Sequence, residues 1–273
     1  MAKRWFITGC STGLGRALAE HALERGDRVA VTARRVESVS DIVAKAPDRA
    51  IAIALDVTKP AEVRAAAQKA FDTLGGVDVL VNNAGFGIQA TTEDAEDTQI
   101  RALFETNVFG LLDVIRVFLP RLRAQGGGHI INISSVGGRT SAPMVGLYSA
   151  TKYAVEGLSK GLAGEVASQG IRLTVIEPGA YATRFPDNLA KATASAPYAE
   201  AARLTDEFLA TAVFEDPRLA ASVIAKVADM PEPPAQLLLG RVAHGMIEAD
   251  LAAQQAELAR WRDLSYEAAA PIK

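Results

Sequence analysis

Short apolar runs alternate with longer, Ala-rich stretches of helical periodicity along most of the chain. Runs of Val, Ile, Leu and Ala predict strands at Trp5–Thr8, Arg28–Thr32, Ala50–Leu55, Val77–Val81, His129–Ile133, Leu173–Ile176 and Gln236–Leu239. Several are almost uninterrupted apolar stretches, as expected of parallel strands covered on both faces. Helices are expected between them, near residues 14–25, 60–74, 98–123 and 149–168. Pro60 suits a first helical turn and Gly75-Gly76 a helix stop. The β-α-β-α order implies right-handed crossovers and a doubly wound parallel α/β sheet with helices on both faces.

The pattern breaks in a few places. Gly126-Gly127-Gly128 marks a loop before a strand. From Pro178 the periodicity fades, so a loop or lid over about 178–197 is expected. Past Pro231-Glu232-Pro233-Pro234 and the last strand, Val242, Met246, Leu251, Leu258 and Trp261 fit one face of a closing helix over about 241–263. With no repeat or low-complexity tract, residues 1–273 read as a single domain.

Composition narrows the classes of function. Hydrophobic residues make up 49% and charged residues 22%, enough to bury a core without disulfide or metal staples. A net charge of −3, with no basic run longer than a pair such as Arg34-Arg35, argues against nucleic acid or an anionic membrane as partner. The lone Cys10 allows no internal disulfide. The opening residues lack the pattern of an export leader, and the apolar runs fall far short of the roughly 20 residues that span a bilayer. A cytoplasmic protein is expected. His21, His129 and His244 show no metal-ligand spacing, so no metal is expected.

The first candidate chemistry is Thr8-Gly9-Cys10-Ser11-Thr12-Gly13-Leu14-Gly15, between the first strand and the first helix. Glycines let backbone approach a pyrophosphate, and a helix start offers free N–H groups and partial positive charge. The spacing is G-x-x-x-G-x-G rather than G-x-G-x-x-G, so the physical role carries over without the usual fingerprint. Gly9, Ser11, Thr12, Gly13, Leu14 and Gly15 are the candidate phosphate contacts, in a Rossmann-type sheet of about seven strands. A turn that merely reverses the chain is the alternative. An NAD enzyme places a carboxylate about 20 residues further on, at the end of the second strand. Here that strand ends in Ala33-Arg34-Arg35, and the Arg34 guanidinium can hold a 2′-phosphate. NADP(H) is therefore the expected coenzyme, unless both arginines are ordinary solvated charges.

Gly9-Cys10-Ser11-Thr12-Gly13 also fits the G-x-S-x-G elbow of a Ser hydrolase at Ser11. That reading needs His129 or His244 beside Ser11, lacks an earlier strand to supply oxyanion donors, and leaves Gly15 unexplained.

Tyr148-Ser149-Ala150-Thr151-Lys152 sets a phenol and an ammonium four residues apart, on one helix face. A tyrosine working as acid/base at neutral pH needs its pKa of about 10 lowered by about three units, roughly 4 kcal/mol. Lys152 and a positive nicotinamide ring are natural sources. Upstream, Asn132-Ile133-Ser134-Ser135 ends a strand at the side where doubly wound sheets bind ligands, and Ser135 can donate to a carbonyl oxygen.

Together these segments resemble the short-chain dehydrogenase/reductase family, in collinear order from residue 4 to about 185. Thr8-Gly9-x-x-x-Gly13-x-Gly15 resembles its coenzyme motif and Asp56-Val57 its adenine contact. Asn82-Asn83-Ala84-Gly85 is similar to the signature that supports the sheet beside the coenzyme. Asn107 is similar to the asparagine whose backbone carbonyl holds a relay water, and Ser135, Tyr148 and Lys152 complete the tetrad. Pro178-Gly179-x-x-x-Thr183 resembles the segment whose threonine meets the nicotinamide amide. The resemblance implies a carbonyl reductase or alcohol dehydrogenase, assembled as a homodimer or homotetramer through helices near 98–123 and 149–168. A non-catalytic NADP(H)-binding sensor on the same fold is the runner-up, although such proteins usually lose the Tyr or Lys. Val136, Met144, Val145, Tyr181 and Phe185 are the candidate pocket walls, with few charges besides Arg139 and Arg184. They suggest an apolar or aryl-substituted carbonyl substrate.

Overall fold

A computed structural model of the protein describes residues 2–183 and 189–269. In chain order its elements are β1 (Arg4–Ile7), α1 (Gly13–Glu24), β2 (Arg28–Ala33), α2 (Ser40–Ala44), β3 (Ala50–Ala54), α3 (Pro60–Leu74), β4 (Val79–Asn82), β5 (Ile88–Gln89), α4 (Asp97–Phe104), α5 (Leu111–Ala124), β6 (Gly128–Ile133), α6 (Gly146–Val166), β7 (Ile171–Pro178), β8 (Ala190–Lys191), α7 (Ala199–Thr211), α8 (Pro217–Asp229), β9 (Gln236–Leu239), α9 (Arg241–Arg260) and α10 (Arg262–Tyr266).

Seven strands form one parallel sheet in the order β3-β2-β1-β4-β6-β7-β9. The order reverses between β1 and β4, and the carboxyl ends of those strands flank the crevice where such sheets take ligands. Alternate residues of β1 point to opposite faces. Trp5 and Ile7 join Leu18, Ile42 and Ile224 in the layer of α1, α2 and α8. Phe6 joins Val63, Phe118 and Val166 in the layer of α3, α5 and α6, its ring 4.6 Å from that of Phe118. Because both faces are covered, Trp5, Phe6 and Ile7 are all buried, which is why the strand reads as a continuous apolar run.

Several expectations need correction. The helix expected over 98–123 is two α-helices joined by a π-helical turn at Glu105–Gly110. The helix expected from 149 starts at Gly146, which puts Tyr148 in its first turn. Helices α7 and α8 lie outside the expected set; α8 buries an Ala-rich face (Ala220, Ala221, Ala225, Ala228), and Asp216 caps it ahead of Pro217. Within the segment 178–197, β8 pairs with β5 in a separate two-stranded parallel sheet, too short to leave a periodicity. The closing helix forms as α9, but Val242, Met246, Leu251, Leu258 and Trp261 are exposed; its buried residues are Ala243 and Ile247. Close packing decides this. A Cβ on Gly179 would stand 3.2 Å from Ala243 Cβ, so only a small side chain fits beneath the helix. Among the described residues, no helix is long and apolar enough to cross a membrane.

Candidate active site

The cradle is assembled from the carboxyl ends of β1 and β4. Thr8 Oγ1 accepts from the N–H groups of Asn83 and Ala84, at 2.9 Å each. Asn83 Nδ2 donates back to the carbonyls of Thr8 at 2.8 Å and Gly9 at 3.0 Å. Gly9 and Gly13 have φ of +71° and +63°, a region glycine enters without strain. A Cβ on Gly9 would lie 2.9 Å from Ala84 Cα. The two loops are therefore interlocked backbone to backbone. Leu14 and Gly15 lie in the first turn of α1. Thr12 makes no side-chain cap there and no acidic residue occupies the first turn, so those N–H groups point at space suited to an anion. Ser11 is exposed at its mouth, and Thr183 comes to the same place, its Cβ 3.4 Å from where a Gly13 Cβ would be. These donors and glycines fit a dinucleotide pyrophosphate.

At the end of β2, Arg34 and Arg35 are exposed, and among the described residues neither guanidinium meets a carboxylate. Arg16, by contrast, is taken up by Glu20 at 3.2 Å and by Asp41. Asp56 ends β3's exit: its Oδ1 accepts from the N–H and hydroxyl of Thr58 at 3.0 and 2.8 Å. Val57 is buried against Gly110, where a Cβ would approach Val57 Cγ2 to 2.8 Å.

Asn107 sits in the π-helical turn, 2% exposed. Its Oδ1 accepts from Phe86 N at 3.0 Å, and its Nδ2 donates to Phe86 O at 2.9 Å and Thr151 Oγ1 at 3.1 Å. The side chain thus staples the loop after Asn83-Ala84-Gly85 to α6. A Cβ on Gly85 would lie 3.0 Å from Asn107 Oδ1 and 3.8 Å from Lys152 Nζ, so glycine lets these pieces close up.

Ser135, Tyr148 and Lys152 converge beyond the end of β6. Ser135 Oγ accepts from Gly137 N at 3.0 Å and hydrogen-bonds Tyr148. Lys152 Nζ donates to the carbonyl of Ile133 at 2.9 Å and stands 5.7 Å from the centre of the Tyr148 ring. Burial pushes the Tyr148 hydroxyl up to about 12, with Ser135 pulling the other way. Burial drives Lys152 down to about 8, opposed by the charge of Glu156. The expected lowering of the tyrosine is thus absent from the protein by itself.

Of the candidate pocket walls, Val136, Met144 and Val145 belong to the loop between Ser135 and α6. Met144 is buried with φ +66°, a strained conformation for a side-chain-bearing residue, and its carbonyl accepts from Ala90 N at 2.8 Å. Tyr181 goes elsewhere. It packs on the α1–α8 layer, hydrogen-bonds Glu215 and lines an open cleft of about 800 Å³ between α8, β9 and α9. Pro178 ends β7, and Gly179 N donates to Leu239 O at 3.1 Å. Arg139 turns inward to Glu177, at 3.2 Å, instead of facing the pocket. Arg184 and Phe185 lie outside the described residues.

The hydrolase reading lacks its histidine. His129 is buried near the start of β6, at the opposite end of the sheet from Ser11, with Nε2 2.9 Å from Thr174 Oγ1; His244 lines the cleft beside Tyr181. Among the described residues no group of three or more His, Cys, Asp or Glu gathers to hold a metal. Sequence reasoning missed Thr151, which ties Asn107 to the Tyr148 carbonyl at 2.7 Å. It also missed Glu156 and Glu177. A glutamate directly after the apolar pair Val175-Ile176 was the available signal for Glu177.

Comparison with known proteins agrees with this geometry. The short chain dehydrogenase family profile matches residues 3–194. Oxidoreductase BOA17 of Botryotinia fuckeliana is 39% identical over 274 residues, covering 98% of this chain and 100% of the relative. A short-chain dehydrogenase from Streptomyces avermitilis superposes with a TM-score of 0.92 at 41% identity, over 98% of this chain and 99% of that one. Another from Burkholderia cenocepacia, solved in complex with NADP, has a TM-score of 0.77 at 28% identity, over 95% and 97% of the two chains. The chain is an oxidoreductase of the short-chain dehydrogenase family.

Proposed function

We propose that the protein is an NADP(H)-dependent reductase that interconverts a ketone or aldehyde and an alcohol, with Tyr148 as acid/base. The observation that carries this reading is the convergence of Ser135, Tyr148 and Lys152 beside the glycine cradle. A bound nicotinamide coenzyme supplies or accepts the hydride. Ser135 and Tyr148 hold the carbonyl oxygen, Tyr148 gives its proton to the nascent alkoxide, and Lys152 binds ribose hydroxyls. Burial keeps the proton on Tyr148 at neutral pH, the form that donates to an alkoxide. Asn107 holds the coenzyme-side loop against α6, consistent with a relay running past it.

Arg34, exposed and without a carboxylate partner among the described residues, supports NADP(H) over NAD(H), as does the Burkholderia cenocepacia protein in complex with NADP. Val136, Met144 and Val145 support an apolar or aryl-substituted substrate. The reading includes a homodimer or homotetramer through α5 and α6, supported by Gly157, Gly161 and Gly164. These stand on α6 with open space where their Cβ atoms would be.

The test is absorbance loss of NADPH and, separately, NADH, against a panel of aryl and alkyl ketones. Ketone-dependent oxidation with NADPH preferred is expected. NADPH binding without turnover on any carbonyl class would favour the sensor reading.

A further inference from the structure

Helix α6 carries a third ionisable side chain in line with Tyr148 and Lys152. Glu156 lies one turn past Lys152, a spacing that brings side chains onto a shared face, and is only 4% exposed. Its Oε2 accepts from Gln236 Nε2 on β9 at 2.7 Å, whereas Oε1 is buried with no hydrogen-bond partner among the described residues. A carboxylate held this deep with one oxygen unbonded is costly unless a positive charge compensates it.

Few charges face this carboxylate. From the loop after Ser135, Arg139 spans both oxygens of Glu177 on β7 at 3.2 Å, which commits that guanidinium to the strand. Arg139 also lines, with Tyr153, Glu156 and Lys160 of α6 and Asp250 of α9, a cavity of about 310 Å³, where its charge is shared with Glu177. Lys160 is exposed, so water screens it. Tyr148 carries no charge while it holds its proton. The buried cation left over is Lys152, 6% exposed.

We propose that Glu156 is a positioning residue for the tyrosine–lysine pair, whose carboxylate keeps the buried Lys152 side chain an ammonium. The inference rests on the reading of Lys152 as the active-site cation. A Cβ on Gly138 would stand 3.1 Å from Glu156 Cγ and 2.6 Å from Ser134 Oγ, so glycine lets the loop after Ser135 pack directly against the Glu156 side chain. Glu177 reports the same charge: burial and the neighbouring Glu156 hold its carboxyl above the ordinary range, against the pull of Arg139. Without Glu156, the lowering of Lys152 by burial would lose the charge that opposes it.

The test reads Lys152 itself. Side-chain NMR of the protein carrying ¹³C,¹⁵N-lysine, with the Lys152 signal assigned by K152R, follows its titration with neither coenzyme nor substrate present. Failure of this inference is thereby separate from failure of the reductase reading. Glu156→Gln keeps the shape and removes the charge, and is expected to lower the Lys152 midpoint by about one pH unit or more. An unchanged midpoint in folded E156Q overturns the proposal. Should E156Q not fold, the coupling is read from the other partner, since the interaction is reciprocal. K152M must then raise the carboxyl midpoint of Glu156 in a ¹³C-glutamate spectrum, and an unmoved Glu156 overturns the proposal equally.

Discussion

The Lys152 ammonium stands 5.7 Å from the centre of the Tyr148 ring, anchored by the Ile133 carbonyl at 2.9 Å. A cation so placed steadies the ring and favours its phenolate form over the phenol. Tyr148→Phe deletes the proton donor and leaves this packing in place. Ketone reduction by Y148F is expected to fall at least about 100-fold in kcat/KM, the scale of general acid catalysis, with NADPH affinity nearly unchanged. Steady-state kinetics beside a fluorescence titration decide it; a variant that keeps most of its turnover removes Tyr148 from the chemistry.

Arg34 lies at the end of β2 and, among the described residues, no carboxylate holds it. Arg34→Ala should weaken NADPH about tenfold or more, the worth of a charge-assisted hydrogen bond, and leave NADH unaffected. Calorimetric titration with both coenzymes measures the difference. Equal loss for both would assign Arg34 a structural part only.

A Cβ at Gly15 would meet Asn83 Nδ2 at 2.2 Å and the Gly9 carbonyl at 2.7 Å. The amide could turn away, but only by breaking its bonds to Thr8 and Gly9. Gly15→Ala is therefore expected to cost about 1–3 kcal/mol and most of the coenzyme affinity. Melting curves with and without NADPH show both effects.

Gly161 is exposed on α6 with nothing near its Cβ position. In an isolated chain, Gly161→Ala should stabilise the helix by about 1 kcal/mol. Gly161→Leu is expected instead to dissociate the proposed homodimer or homotetramer, because a bulky side chain would hold the partner helix off. Light scattering on the two variants tests this, and a G161L protein of unchanged mass would exclude the face as an interface.

His129 is fully buried, and burial, then Arg172 and Lys3, hold its pKa down to about 3 from an ordinary 6.5. The unfolded chain takes up the proton first on acidification. Stability is thus complete above pH 6.5 and is lost as pH falls toward 3, by about 2 kcal/mol between pH 6.5 and 5. His129→Gln can still reach Thr174 but does not titrate, and its denaturant midpoint should fall less over that range. Equal falls would place the acid sensitivity in other groups.

The strands were legible because burial on both faces leaves Val29, Val31, Leu80 and Ile130 no polar neighbours to alternate with. The glycine cradle and the Tyr148–Lys152 pair were legible because their chemistry fixes residue type at short spacing. What escaped depends on contacts distant in sequence. Ala243 rather than Met246 faces the body because Gly179 leaves only a shallow groove. Tyr181 leaves the expected pocket wall for Glu215, and Arg139 turns to Glu177, each partner more than thirty residues away in the chain. No local pattern encodes those choices.

The π-helical turn at Glu105–Gly110 carries a consequence for how this site can change. One residue beyond the α-helical count rotates the helix on its N-terminal side by about 100° relative to the helix on its C-terminal side. Deleting a single residue there would restore a regular helix and swing α4 around α5, carrying Asn107 off Phe86 and Thr151. No substitution elsewhere in the turn could recover that geometry, because the position of Asn107 is set by arithmetic as much as by chemistry.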